Sequence, residues 1–212
     1  MCFSLNISYS HESLPLKIGT HFFCRTPKVA TLLLRSVYIA EKTNQTYRTI
    51  RNRPNANIKY FETIDNLERD RQIIVFTREP VERLLSGINH MLHKKLSKLS
   101  CDDIIFTKII PSYEKKCSQQ YHFLKNPAWQ HVLPPLRCRC GMECKSNVSH
   151  KFLKLEHNDP VQFLKNITYS RYLPQTHKKI NHRSTKNLEC SDYALQKLKD
   201  ITQRERAFLQ YS

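Results

Sequence analysis

The alternation of apolar and polar positions predicts two strand–turn–helix units in the N-terminal half of the chain. Residues 17–24 (KIGTHFFC) carry β-branched and aromatic side chains and predict a strand, and apolar positions at helical spacing predict a helix over Val29–Lys42. Residues 72–77 (QIIVFT) form a continuous apolar run, which is typical of a strand buried on both faces. We predict that a second helix begins at Pro80, because proline suits the first helical turn.

The other segments carry weaker periodicity. Residues 43–57 and 101–150 are predicted to be irregular, and residues 151–155 (KFLKL) predict a third strand. A short helix is predicted over Pro160–Ile167, and a last helix follows Ser191, whose hydroxyl suits an N-cap. The predicted core face of that last helix consists of Leu195, Leu198, Ile201 and Phe208.

The order of these elements predicts an α/β fold with a central parallel β-sheet flanked by helices. The 212 residues suit a single domain, which we assign to residues 17–212 after an irregular N-terminal segment, 1–16. The chain has only three glycines and no glycine-rich nucleotide loop. It also has no apolar run of about 18 residues, so membrane association would require an anchor that this sequence does not show.

The net charge of the chain indicates what kind of partner it binds. The chain has 35 Lys and Arg against 18 Asp and Glu, a formal net charge of +17. Such an excess favours an anionic partner, either nucleic acid, an acidic polysaccharide, a phosphorylated cofactor or a membrane surface. The basic residues are spread along the chain and the tyrosines do not cluster with them, which argues against nucleic acid.

Sequons and cysteines together favour an oxidising, secretory lumen. Eight cysteines suit a set of disulfides. A zinc site is the competing interpretation for Cys138, Cys140 and Cys144, but their spacing differs from the paired one of common zinc sites, and we predict no metal. Four Asn-x-Ser/Thr sequons predict glycosylation, at Asn6, Asn44, Asn147 and Asn166.

Both strand–turn–helix units place a cation immediately before a helix, Lys28 in the first and Arg78 in the second. The free N–H groups of a helix start, together with a basic side chain, form an anion site. Two such sites on neighbouring parallel strands would hold two phosphate-type groups of one nucleotide, and Ser86 is spaced to donate to the anion that Arg78 binds. The alternative is that both cations only complement local acids.

Two of these segments resemble a known family. The run RTPKVAT, residues 25–31, resembles the 5′-phosphosulfate loop of Golgi carbohydrate sulfotransferases of the chondroitin/dermatan and HNK-1 type, and VFTREPVERLLS, residues 75–86, resembles their 3′-phosphate segment. Segments at 131–138, 154–159 and 184–186 are similar to later family segments in the same order. The resemblance implies donor contacts from Arg25, Thr26, Pro27, Lys28, Val29, Ala30, Thr31, Arg78, Ser86, Ser184, Thr185 and Lys186.

The resemblance implies a P-loop-like sulfotransferase fold and a metal-free sulfuryl transfer in the Golgi lumen or at the Golgi membrane. The donor would be 3′-phosphoadenosine 5′-phosphosulfate, and the acceptor a hydroxyl of an acidic glycan such as chondroitin, with no nucleic-acid partner. Lys28 and His131 would be catalytic, His131 as the base, with His90 and His122 as alternatives. Leu32 stands where the family usually has Thr. The alternative is therefore a non-catalytic, basic protein of that fold that binds glycosaminoglycans or other polyanions.

Overall fold

A computed structural model describes residues 15–26, 28–52, 72–94, 98–115, 129, 132, 149–175 and 188–211. The chain divides into two compact units, and each is described by itself. Unit 1 comprises Met1–Thr77 with Cys140–Asn181, and unit 2 comprises Arg78–Arg139 with His182–Ser212. The assignment of 1–16 and 17–212 as segment and domain stays a prediction.

The elements alternate between strands and helices. Their bounds along the chain are β1 (Leu16–Ile18), β2 (His21–Cys24), α1 (Thr31–Thr43), α2 (Tyr47–Arg51), β3 (Gln72–Thr77), α3 (Pro80–His93), α4 (Cys101–Ile104), a π-helical segment (Ile105–Ile109), α5 (Ile110–Glu114), β4 (Ser149–Lys154), α6 (Pro160–Lys165), a 3₁₀ turn (Ser170–Tyr172) and α7 (Asp192–Phe208). Within the described ranges, no helix is long and apolar enough to cross a membrane.

The sheet of unit 1 has four strands in the order β1-β2-β3-β4. β2, β3 and β4 run parallel, with Phe23 opposite Ile74 and Val75 opposite Phe152. β1 runs antiparallel to β2. The predicted α/β class and the predicted parallel pairing of the strands near 18–24 and 72–77 are therefore confirmed. The sheet, however, is mixed and not purely parallel.

A turn at Gly19 makes the sheet mixed, and the prediction of one strand over residues 17–24 is wrong. Gly19 has φ +56°, a left-handed conformation that glycine adopts without steric cost. Its N–H donates to both carboxylate oxygens of Glu41, at 3.0 and 3.2 Å. A Cβ at Gly19 would lie 2.3 Å from the carbonyl oxygen of Ile167. Glycine therefore reverses the chain where α1 and the end of α6 approach it.

Local capping explains two further departures from the predicted pattern. Residues 47–51, predicted to be loop, form α2 because the Thr46 hydroxyl accepts from the Thr49 N–H. Residues 101–114, predicted to be irregular, are helical because Ser100 and Asp103 form a capping box and apolar residues of that run are buried in the core of unit 2. The predicted helices at 29–42, 80 onward and 160–167 are confirmed within a few residues.

The last helix begins as predicted, but its buried face differs in part from the predicted one. Ser191 accepts from the Ala194 N–H and caps α7. Leu198 is fully buried as predicted, but Phe208 is 41% exposed. The buried positions of this helix are Ala194, Leu198, Thr202 and Glu205. The predicted core face is therefore wrong at Phe208, because a buried cation on α3 requires Glu205 inside the unit.

Candidate functional site

The loop between β2 and α1 contains two residues with left-handed backbones immediately before the helix. Lys28 and Ala30 both have left-handed backbones, with φ +63° and +50°. The carbonyl oxygen of Thr26 accepts from the Val29 N–H at 3.0 Å and from the Thr31 hydroxyl. Successive N–H groups in alternating right- and left-handed conformations form concavities that bind anions. Nothing in the sequence signals these conformations, because neither residue is glycine.

The start of α1 leaves the positive end of the helix open to such an anion. Ala30 is the N-cap residue, and no side-chain cap hydrogen bond is made there. The first turn contains no acidic residue. The Thr26 side chain is fully buried, and its Oγ1 has no hydrogen-bond partner among the described residues. A 13-residue helix with an uncapped N-terminus therefore begins beside a buried hydroxyl.

The other residues predicted for this loop line its base. Arg25, Val29 and Ala30 are buried, with 6%, 1% and 7% exposure, and Lys28 is half-buried. Leu32, in the first turn of α1, is 51% exposed. The structure therefore gathers the described members of the predicted loop in one turn, while Pro27 lies outside the described residues.

Arg78, predicted to bind the 3′-phosphate, binds a carboxylate of the helix that follows it in this structure. Its Nε and Nη2 donate to one oxygen of Glu82, at 3.2 and 3.1 Å. The Arg78 side chain is 12% exposed, whereas that of Glu82 is 57% exposed. Ser86 is half-buried on α3. An incoming phosphate would therefore replace an exposed carboxylate at Arg78.

Arg83, the second arginine of the same segment, has a structural partner that sequence reasoning missed. Its Nη2 donates to Glu205 at 3.2 Å and to the Tyr113 hydroxyl at 3.0 Å, and that hydroxyl donates to Glu205. Burial works against the charged guanidinium, but the negative charge of Glu205 and the hydrogen bonds to Glu205 and Tyr113 outweigh it, so the pKa of Arg83 is raised. Arg83 therefore holds α3 to α5 and α7.

Several predicted residues lie outside the described residues. These are His131, Ser184, Thr185 and Lys186, the alternative base His122, and the candidate zinc ligands Cys138, Cys140 and Cys144. The other alternative base, His90, is half-buried on α3. Among the residues that the structure describes, no group of three or more His, Cys, Asp or Glu could hold a metal ion.

Two of the four predicted glycosylation sites are described. Asn44 and Asn166 are both exposed, while Asn6 and Asn147 lie outside the described ranges. The Asn44 side-chain oxygen accepts from Arg171 at 2.6 Å and from the Tyr172 hydroxyl at 2.7 Å. The amide nitrogen, to which a glycan would attach, takes no part in either bond.

Unit 2 is cross-linked by a disulfide between Cys101 and Cys190. The bond joins the first residue of α4 to the residue before the Ser191 cap of α7. A structural disulfide of this kind persists in oxidising compartments. The predicted oxidation of cysteines is therefore confirmed for this pair.

A cavity of about 310 Å³ opens in unit 2, and its chemistry does not suit an anionic nucleotide. It is lined by Tyr113, Glu114, Asp200, Ile201, Gln203, Arg204 and Glu205. Three of these side chains are carboxylates and one is a cation, so the lining repels phosphate. None of the predicted donor-binding residues belongs to it.

The exposed surface of α7 corrects one interpretation of the sequence. Tyr193 is 65% exposed, and the ammonium of Lys197 lies 5.6 Å from the centre of its ring. These residues are four positions apart, a spacing that places them on one face of a helix. The conclusion that tyrosines and basic residues do not cluster is therefore wrong here, because helical periodicity brings together residues that sequence distance separates.

Comparison of the chain with family models, with curated proteins and with solved structures found no significant match.

Proposed function

We propose that this chain is a carbohydrate sulfotransferase that moves a sulfuryl group from 3′-phosphoadenosine 5′-phosphosulfate to a hydroxyl of an acidic glycan such as chondroitin. The observation that carries this proposal is the loop between β2 and α1. Lys28 and Ala30 have left-handed backbones, α1 lacks a side-chain cap, and the buried Thr26 hydroxyl has no partner among the described residues. This arrangement fits a doubly charged phosphosulfate.

The chemistry needs charge stabilisation rather than a metal. The acceptor oxygen attacks sulfur, the bond from sulfur to the bridging oxygen breaks, and 3′-phosphoadenosine 5′-phosphate leaves. The bridging oxygen gains negative charge during this step. Lys28, at the turn before α1, would stabilise that charge more strongly in the transition state than in the bound donor. His131, or else His90 or His122, would accept the hydroxyl proton.

The proposed 3′-phosphate contacts come from the segment that follows β3. Arg78 follows Thr77 directly, and Ser86 lies two helical turns along α3. The alternation of β2, α1, β3 and α3 also supports the finer assignment to a P-loop-like sulfotransferase fold. Ser184, Thr185 and Lys186 complete the donor contacts that the family resemblance implies.

The net charge supports the proposed glycan partner, and the disulfide and the sequons support the proposed compartment. A net charge of +17 would steer a polyanionic glycan toward the enzyme. The Cys101–Cys190 disulfide and the two exposed sequons suit the lumen of the secretory pathway. We therefore propose action in the Golgi, where glycan chains are elaborated.

A non-catalytic glycan-binding protein of the same fold is the second candidate, and Leu32 favours it. This side chain is 51% exposed in the first turn of α1, where the family usually supplies a hydroxyl. The loss of that hydroxyl would remove one contact to the sulfuryl group. Such a protein would still bind the nucleotide or the glycan but would transfer no sulfate.

Sulfate transfer by the wild type separates the two candidates, and Lys28→Ala tests the proposed role of Lys28. We expect this variant to bind 3′-phosphoadenosine 5′-phosphate nearly as well as the wild type, because that product lacks the sulfuryl group. Sulfate transfer to desulfated chondroitin should fall by about 10²–10³-fold. The matched control is Lys42→Ala, which removes one positive charge from the last turn of α1, the helix that follows Lys28, and should keep its turnover.

Wild-type turnover in Lys28→Ala would remove Lys28 from the catalytic residues. The enzyme would be rejected by a wild-type chain that binds the nucleotide in calorimetry yet sulfates no glycan acceptor, which would support the non-catalytic candidate.

A further inference from the structure

A pair of aromatic rings, one of them exposed, lies at the surface of unit 2. The rings of Phe106 and Tyr193 stack with centroids 5.6 Å apart and planes 23° from parallel. Phe106 is half-buried against the core of unit 2, so it forms a fixed base. Tyr193 is 65% exposed above it. Tyrosine is enriched at binding interfaces because its ring is apolar and its hydroxyl is polar.

Covalent and hydrogen-bonded links hold the two rings in place. The Cys101–Cys190 disulfide joins the helical run that carries Phe106 to the segment immediately before Tyr193. The Ser191 N–H also donates to Asp102 at 2.9 Å. Phe106 itself lies in the π-helical segment, a distortion often found at functional sites. The surface is therefore ordered before any partner arrives, which lowers the entropic cost of binding.

Basic side chains accompany the aromatic rings. The ammonium of Lys197 lies 5.6 Å from the Tyr193 ring centre, and that of Lys108, in the π-helical segment, lies 5.6 Å from the ring of Trp129. Three acids on these elements accept hydrogen bonds from within the unit: Asp102 from the Ser191 N–H, Asp103 from Ser100 and Asp200 from Gln196. The Lys197 ammonium, beside the exposed Tyr193 ring, is the cation that an anionic ligand would meet there.

We infer that Phe106, Tyr193 and Lys197, the aromatic–basic patch, bind an acidic polysaccharide. A sugar ring packs its C–H face on an aromatic ring, and the carboxylate or sulfate of the same chain pairs with the lysine. Single-stranded nucleic acid has the same combination of flat rings and charge. The disulfide beside the patch favours the glycan, because disulfides persist in compartments that lack nucleic acid. The choice of chondroitin as probe rests on the proposed function.

The test measures binding of unsulfated chondroitin polysaccharide to the full, disulfide-bonded chain, without a sulfate donor. Tyr193→Ala should weaken binding by about tenfold, as for a central aromatic contact. Lys197→Gln and Lys199→Gln form a matched pair, since each lowers the net charge from +17 to +16 on the same helix. Only Lys197→Gln should weaken binding clearly.

Three results would overturn the inference. The first is the absence of chondroitin binding by the wild type, or an affinity of Tyr193→Ala equal to that of the wild type. The second is an equal loss in Lys197→Gln and Lys199→Gln, which would indicate only a diffuse positive field. The third is a single-stranded RNA oligonucleotide that binds more tightly than chondroitin with the same dependence on Tyr193, which would assign the patch to nucleic acid.

Sulfate transfer, measured in parallel, separates this inference from the proposed function. Chondroitin binding that depends on the patch, without sulfate transfer, would reject the proposed enzyme and support the patch. Sulfate transfer with a wild-type KM for chondroitin in Tyr193→Ala would support the enzyme and reject the patch.

Discussion

Arg83 and Glu205, 122 positions apart in the chain, form a buried ion pair with 3.2 Å between Nη2 and Oε1. Each side chain is only 1% exposed. Because the Tyr113 hydroxyl contacts both partners, one charged network fastens α3, α5 and α7. The segment that carries Arg78 and Ser86 therefore depends on a contact with the far end of the sequence.

Glu205→Gln should destabilise the protein strongly. The substitution leaves the Arg83 charge buried with only neutral partners, and breaking a buried pair in this way costs about 3–5 kcal/mol. Urea denaturation measures the change in the free energy of unfolding. Glu82→Gln is the control, because the Glu82 side chain is 57% exposed and its ion pair with Arg78 should contribute only about 0–1 kcal/mol to stability. Equal effects of the two variants would show that the buried pair adds no special stability.

Arg78→Ala should weaken binding of 3′-phosphoadenosine 5′-phosphate by about 1.5–3 kcal/mol, the range for a hydrogen bond to a charged group. Ser86→Ala should lose less, about 0.5–1.5 kcal/mol. Glu82→Gln should bind as tightly as the wild type or more tightly, because it releases the guanidinium that Glu82 holds at 3.1 Å. Titration calorimetry gives all three affinities. Unchanged affinity in Arg78→Ala would remove this residue from the donor site.

Gly19→Ala should lower the stability of the protein. The left-handed backbone at φ +56° alone costs a residue with a Cβ about 1–2 kcal/mol. The new Cβ would also press on the Ile167 carbonyl, 2.3 Å away, and would disturb the bond from the Gly19 N–H to Glu41. Thermal and urea unfolding measure the loss. The neighbouring Thr20→Ala, at an exposed position, should stay within about 0.5 kcal/mol of the wild type.

Secretory expression should give glycans at Asn44 and Asn166, since both side chains are exposed. Asn44→Gln and Asn166→Gln should each remove one glycosidase-sensitive mass shift. Expressed without glycans, Asn44→Gln should also lose about 1 kcal/mol of stability, because Asn44 ends α1 with φ +53° and accepts from Arg171 and Tyr172. Asn166→Gln should not. No mass shift in the wild type would argue against the lumenal assignment.

Local signals in the sequence determined the elements that frame the candidate site. An apolar run predicted β3, Pro80 predicted the start of α3, and Ser191 predicted the cap of α7, and the structure bears these out. Such signals act through atoms within a few residues of each other, so the sequence is enough to read them. The two basic turns that follow β2 and β3 were found in this way.

Only the tertiary structure decided how these elements are used. The left-handed backbones of Lys28 and Ala30 arise at non-glycine residues, and the Gly19 turn depends on Glu41 and Ile167, which are distant in sequence. Glu205 is buried because it pairs with Arg83, although a pattern of hydrophobicity places a carboxylate outside. In the same way Phe106 meets Tyr193 only through folding. Packing between segments that are distant in sequence selects these conformations and contacts, and the local propensities of single residues do not encode that packing.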